Sequence, residues 1–335
     1  MSERKGRITV AVAAVTVFLI AMTVAVALAL RGDGDGDGVV APPAPGTSTP
    51  PRTSPFTGLP SGADKPVLAV KIDNVAPARP QTGLDKADLV YIEPVEAGLS
   101  RILAVFSSRT PSSVGPVRSA RESDLELLRQ FGRPALAYSG AQSKLRPLIA
   151  RAPLYDVSPG RAPGAYVRDG SRRAPHNLYG NPARLLQRAP AASKARDIGF
   201  RFGAAPPGGT LDAGQTVRYG AATVQFRWSA AQDRWLAWLD GTPATSAGGT
   251  RLGAPTVVIQ YVTVRSSRFK DRGGNVSPYT ETVGSGSALV LRDGRTYQAR
   301  WSRPDDQVGT TFTTRTGAPM TFHPGPVWIV FAPRA

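Results

Sequence analysis

The pattern of apolar positions begins with its longest uninterrupted run. Residues 8–30 (ITVAVAAVTVFLIAMTVAVALAL) hold no charged side chain. At about 1.5 Å per residue such a helix is long enough for a hydrocarbon core of about 30 Å. Arg4, Lys5 and Arg7 precede it, and Asp33, Asp35 and Asp37 follow shortly after. The positive-inside rule therefore predicts a transmembrane signal-anchor over Ile8–Leu30, with residues 1–7 as a cytoplasmic tail and residues 31–335 exported. On this reading the protein is single-pass in the cell membrane, and the membrane is its first partner. Cleavage near Ala27-Leu28-Ala29, which would release a secreted protein, is the alternative.

Residues 31–54 (GDGDGDG, then APPAPGTSTPPRTS) have no apolar periodicity, and Gly and Pro dominate them, which predicts a linker. From Pro66 the texture changes. The runs 67–72, 87–95 and 101–107 are short and rich in β-branched residues, as buried strands require. Ser119 and Glu122 have capping-box spacing, and Leu125, Leu128 and Phe131 follow at helical spacing up to Gly132. A strand over 135–138, a helix over 143–151 and a helix opened by Asn181-Pro182 complete an alternating pattern. Residues 55–203 are thus expected to form an α/β layered domain, and 204–222 a connector.

Beyond residue 223 the runs are almost all strand-like: 223–228, 234–239, 256–264, 287–292, 297–301, 310–314 and 327–331. Asp240-Gly241, Gly273-Gly274 and Asp293-Gly294 punctuate them as turns. Residues 223–335 are expected to be a mostly antiparallel β-rich domain, or a β continuation of the first. The fold class is therefore α+β or α/β, preceded by one transmembrane helix.

Composition removes several chemistries. No cysteine excludes disulfides, thiol nucleophiles and a lipid-modified N-terminal cysteine, and two histidines cannot build a His-rich metal centre. No Walker loop, Gly-x-Ser-x-Gly elbow, His-Glu-x-x-His or dinucleotide fingerprint is present, so no cofactor or metal is expected. The net charge is +17; residues 1–7 carry three basic and one acidic side chain, which leaves +15 on the exported part. Export removes nucleic acid as a partner. What remains is an anionic wall polymer, a cell-wall synthesis protein, or arginine usage with no ligand behind it.

Four constellations carry candidate chemistry. Lys71, Asp73 and Asn74 stand at the end of the first strand, where α/β folds bind ligands, although turn hydrogen bonds before Pro77 account for Asp73 and Asn74 on their own. Glu93 and Glu96, with Arg101, would be an acid–base pair if Pro94 bends the chain; structural ion pairing is the competing reading. Arg118, Ser119 and Arg121 surround a predicted helix start, an arrangement suited to phosphate, sulfate or carboxylate; internal pairing of both arginines with Glu93, Glu96 or Asp124 is the alternative. His176 and Asn177 lie in a polar loop, where His176 could act as a base, a ligand contact or a brace.

Several strings together resemble the YerB-like lipoprotein family (DUF3048): PFTGLP (55–60), VLAVKIDNVAPARPQTGLDKADLVY (67–91), VEAGLSRILAVF (95–106), VGPVRSAR (114–121), APHNLY (174–179), GSGSALVLRDG (284–294) and PGPVWI (324–329). The resemblance implies an N-terminal part to about residue 200, a C-terminal part from about 220, and an envelope location. It brings no established activity. The sequence departs from it in lacking a lipidation cysteine, which is why an anchor over 8–30 is expected, and in having Ile92 and Ala97 where an acidic residue and a glycine are expected. The combined expectation is an exported envelope protein that binds an anionic ligand or partner; the alternative is an extracytoplasmic hydrolase or transferase acting on a cell-wall glycan.

Overall fold

A computed structural model describes residues 52–60, 65–271 and 273–334. Three strands form the centre: β1 (Leu68–Asp73), β2 (Leu89–Pro94) and β3 (Ser100–Phe106), with β3 antiparallel to both neighbours. Successive side chains alternate between two cores. Leu68, Val70, Ile72, Val90, Ile92, Ile102 and Ala104 enter one, and Ala69, Leu89, Tyr91, Leu103 and Val105 enter the other. Burial on both faces is why these strands read as unbroken apolar runs.

The second core is closed by α1 (Glu122–Leu128) and α2 (Arg146–Arg151), which contribute Leu127, Leu128 and Ile149. Between these helices β4 (Ala135–Ala137) runs parallel to β1, and β5 (Tyr155–Asp156) runs parallel to β4. A small hairpin, β6 (Tyr166–Arg168) and β7 (Leu178–Gly180), precedes α3 (Pro182–Gln187). Asn181 caps α3 as expected, accepting from the Arg184 amide at 3.0 Å.

The following region is nearly all strand. After β8 (Thr210–Leu211), a five-stranded sheet contains β9 (Gly214–Arg218), β10 (Thr223–Ser229), β11 (Arg234–Leu239), β12 (Thr242–Pro243) and β13 (Gly253–Ala254). β14 (Thr256–Val262) is followed by a separate hairpin, β15 (Val264–Lys270) and β16 (Val276–Thr280). Then come β17 (Gly284–Arg292), β18 (Arg295–Arg303), β19 (Thr311–Thr314) and β20 (Val327–Pro333). The β17–β18 turn is Asp293-Gly294, with φ of 51° and 66°, the left-handed pair that a two-residue hairpin requires.

The two segments share one sheet. Its order is β19-β18-β17-β14-β20-β2-β3-β1-β4-β5, with β8 attached to β18, eleven strands among the described residues. β20 makes the join, running parallel to β14 on one side and to β2 on the other. Strands β8, β14 and β17–β20 of the β-rich part therefore continue the first sheet, while β9–β13 form a sheet of their own that shares the first core.

Two expectations are corrected. Among the described residues no helix is long and apolar enough to cross a membrane. The segment Ile8–Leu30 lies outside them, so the transmembrane helix, the signal-anchor, the membrane partner and the single-pass location are withdrawn. The helix after Ser119 also starts later than its spacing predicts. Arg121 is the extended N-cap residue, and its amide donates to Asp124 Oδ2 at 2.7 Å. Ser119 lies two residues before that cap, which makes Glu122 the first helical residue and not the third, and the Glu122 carboxylate accepts from Ser267 Oγ at 2.6 Å.

Candidate functional site

The central register assembles charge at one end of the sheet. Arg101 opposes Asp73 of β1 on one side and Glu93 of β2 on the other. Cross-strand partners share a face, and Lys71 lies two residues before Asp73, so all four side chains project towards the α1 side. Above them is an open cleft of about 860 Å³, whose wall includes Glu96, Arg101, Arg118, Ser119 and Arg121. Arg118 is fixed by its backbone, donating to Lys71 O (2.8 Å) and accepting from the Ser139 amide (2.9 Å). The cleft thus opens beyond the carboxyl ends of the parallel strands β1 and β4.

Not all the candidates face it. Lys71 is fully buried and pairs with Glu93 and, at 2.7 Å, with Asp124. Burial pushes its ammonium down to about 8 against the pull of Asp124, which leaves it charged at neutral pH. Glu93 is therefore consumed as a counter-ion. Asn74 is a buried latch, donating to Ser100 Oγ at 2.9 Å and accepting from Gln81 Nε2 at 3.1 Å. Asn177 braces its loop: its Nδ2 donates to the carbonyls of Asp169 and Arg172, and its Oδ1 accepts from Arg168 Nη1 at 2.7 Å.

Glu96 reaches the cleft because the chain turns after Pro94, with Ala97 at φ 57° and Gly98 at φ 68°. Gly98 is required there, since a Cβ would lie 2.7 Å from the Ala221 nitrogen. Glu96 is nonetheless fully engaged. Arg121 Nε lies at 2.6 Å, Arg121 Nη2 donates at 2.6 Å, and Ser277 Oγ also donates to it. Burial alone would raise its carboxyl; the hydrogen bonds and charge of Arg121, with Ser277, outweigh that and hold it below the usual glutamate value. Neither glutamate is free for acid–base work.

Arg121 is likewise spent, because its Nη1 donates to the carbonyls of Ser119 and Ala120. Its amide donates to Asp124, so both the backbone and the guanidinium that Arg121 is expected to offer an anion are already engaged. Arg118 differs: its Nε pairs with Asp73 Oδ2 at 2.8 Å, while its two Nη atoms make no hydrogen bond among the described residues. His176 Nδ1 sits 2.8 Å from the same Asp73 oxygen, and the cleft wall next to it is formed by Ala174 and Pro175.

Arg101 is the outlier. Its side chain is only 12% exposed, its Nη1 is buried without a hydrogen-bond partner among the described residues, and its ion pair there, to Glu96, is long at 3.8 Å, against 2.8 Å and 2.6 Å for the pairs of Arg118 and Arg121. That carboxylate already belongs to Arg121. Burial, then Arg121, pushes the Arg101 guanidinium down to about 10; Glu96 opposes this, and Arg118 adds to it. The outer wall adds Arg146, Arg168 and Lys270, none of which a local motif marks. Arg146 begins α2, Arg168 is positioned by Asn177, and Lys270 arrives on the β15–β16 hairpin. Among the described residues, six basic side chains line the cleft against three acidic ones, Glu96, Glu122 and Asp271. A smaller cavity of about 470 Å³ elsewhere holds Arg109, Arg234 and Arg251.

Comparison with known proteins agrees with this layout. Residues 56–196 match the family described as "Protein of unknown function (DUF3048) N-terminal domain", and residues 215–329 match its C-terminal domain. The "Putative lipoprotein YerB" of Bacillus subtilis (strain 168) is 25% identical over 293 residues, covering 84% of this chain and 86% of that protein. The crystal structure of the YerB protein from Bacillus subtilis superposes with a TM-score of 0.71 at 22% identity, over 84% of this chain and 97% of that one. This second likeness concerns the fold.

Proposed function

This chain belongs to the DUF3048 family, and from that premise we propose that it is an exported, extracytoplasmic envelope protein whose arginine-lined cleft binds an anionic ligand. Export is supported by the basic-then-apolar N-terminal pattern, read as an export signal, and by the lipoprotein name of the Bacillus relative. Anion binding is supported above all by Arg101, a nearly buried guanidinium whose one ion pair among the described residues is the long one to Glu96. A buried charge of this kind costs several kcal/mol unless paired, on the order of the desolvation penalty of an ion. A bound anion removes that cost.

The test is thermal unfolding of the purified chain in citrate, sulfate and chloride at matched ionic strength. Citrate and sulfate should raise the midpoint by about 2–4 °C over chloride. Arg118→Ala should abolish the rise, whereas Arg300→Ala, at an exposed position on β18, should not. Equal midpoints in all three salts would contradict anion binding, and equal losses in both variants would reduce it to general charge.

The glycan-processing alternative retains one supporting observation. Asp73 orients His176 through Nδ1, and Nε2 makes no hydrogen bond among the described residues. Its two glutamates are engaged as counter-ions, so His176 would be its base. Its mark would be turnover of wall fragments that His176→Ala abolishes.

A further inference from the structure

Resting on the anion-binding reading, we infer that the ligand is a phosphate monoester and that Arg101 and Arg118 together hold its phosphoryl group. The two side chains arrive from different elements, Arg101 from the start of β3 and Arg118 from the segment crossing the end of β1. Asp73 sits between them: it opposes Arg101 in the β1–β3 register, and its Oδ2 fixes Arg118 Nε at 2.8 Å. With Nε committed, Arg118 has its two Nη atoms left for a ligand. The Arg101 guanidinium makes no hydrogen bond among the described residues, and its Nη1 pairs only at 3.8 Å, with Glu96.

Geometry and charge then select the group. A carboxylate is planar, and one guanidinium fork satisfies both its oxygens. Further donors can reach its remaining lone pairs, but with a single charge it neutralises only one of the two guanidinium groups. A terminal phosphate presents three oxygens in a tetrahedral arrangement, enough to accept from two forks at once. It also carries up to two charges, and the site needs two: Arg101 and Arg118 repel each other, and no carboxylate pairs closely with Arg101. A phosphodiester, with one charge and two free oxygens, matches less well.

The remaining volume describes the rest of the ligand. A cleft of about 860 Å³ is far larger than a phosphate ion. Phe269, Leu145 and Leu178 supply apolar surface, while Arg146, Arg168 and Lys270 offer further donors. An organic body such as a sugar or polyol attached to the phosphate would fill this space.

Calorimetric titration of the full chain tests the inference with methyl phosphate, dimethyl phosphate and malonate. Working at about pH 8 keeps the monoester doubly charged, because its second ionisation lies near pH 6. At matched ionic strength methyl phosphate should bind at least about tenfold more tightly than either competitor. Arg101→Met should weaken it by about 10–100-fold, the range for losing a charged hydrogen-bond partner. Arg101→Lys, which keeps the charge but loses the fork, should recover only part of the loss and serves if Arg101→Met does not fold. Malonate binding as tightly as methyl phosphate would overturn the phosphate assignment and leave anion binding standing. Dimethyl phosphate doing so would overturn the requirement for a dianion. Binding of none of the three would overturn both readings.

Discussion

Lys71 and Arg101 are two buried cations one strand apart, and they should respond oppositely to removal of their charge. Lys71 has two carboxylates in contact, Glu93 and Asp124. Lys71→Met strands both of them, and breaking a buried pair in this way costs about 3–5 kcal/mol. Arg101 has no such partner, so Arg101→Met in anion-free buffer should leave urea stability unchanged or raise it. Urea titration of both variants checks this; a large loss in Arg101→Met would make Arg101 a structural brace instead. Some of this was legible in the sequence. Lys71, Asp73, Glu93 and Arg101 stand out as polar residues ending apolar runs. Which were spent and which were free was not legible, because Arg121 and Glu96 come together only through the turn at Ala97-Gly98. Arg146, Arg168 and Lys270 carry no local signal at all, since unrelated loops deliver them.

Among the elements, the β15–β16 hairpin forms one wall of the cleft, and acceptors on the α1 side hold it in place. Ser267 donates to Glu122, Ser277 to Glu96, and the Thr280 amide to Ser123 Oγ. Glu126 is the strongest anchor, accepting from Tyr279 Oη, from the Thr282 amide and hydroxyl, and from the Val283 amide. Burial would raise its carboxyl, but these bonds, led by Tyr279, hold it below the usual value of 4.5. A carboxyl depressed in the folded state contributes stability that is complete above the unfolded value and is lost as pH falls through the folded one. The stability gap between wild type and Glu126→Gln should therefore be constant above about pH 5 and shrink steadily below pH 4.5. Urea midpoints measured against pH read this directly, and a gap independent of pH would assign the loss to packing. The hairpin itself was only half visible in sequence. The run 256–264 reads as one strand, yet the chain leaves the large sheet after Val262 and re-pairs from Val264, because β15 finds its partner in β16 and its anchors on α1.

At the scale of the whole molecule, alternation and turn chemistry predicted most strands, and Asp293-Gly294 marked its hairpin correctly. The join between the segments could not be read, because β2 and β20 lie far apart in sequence and nothing local in Val327–Pro333 names its neighbours. That join matters for function. It ties the C-terminal strands, and through them the hairpin bearing Lys270, to the three strands that carry Asp73, Glu93 and Arg101. The net charge of +17 then gains a location, since six basic side chains converge on one cleft. The most direct test of the account is anomalous diffraction from crystals of the protein soaked in tungstate, a tetrahedral dianion visible by its scattering. The expected result is a peak in the cleft placed so that the oxygens around it reach the guanidinium groups of both Arg101 and Arg118. An empty cleft, or a peak only in the cavity of Arg109, Arg234 and Arg251, would contradict it.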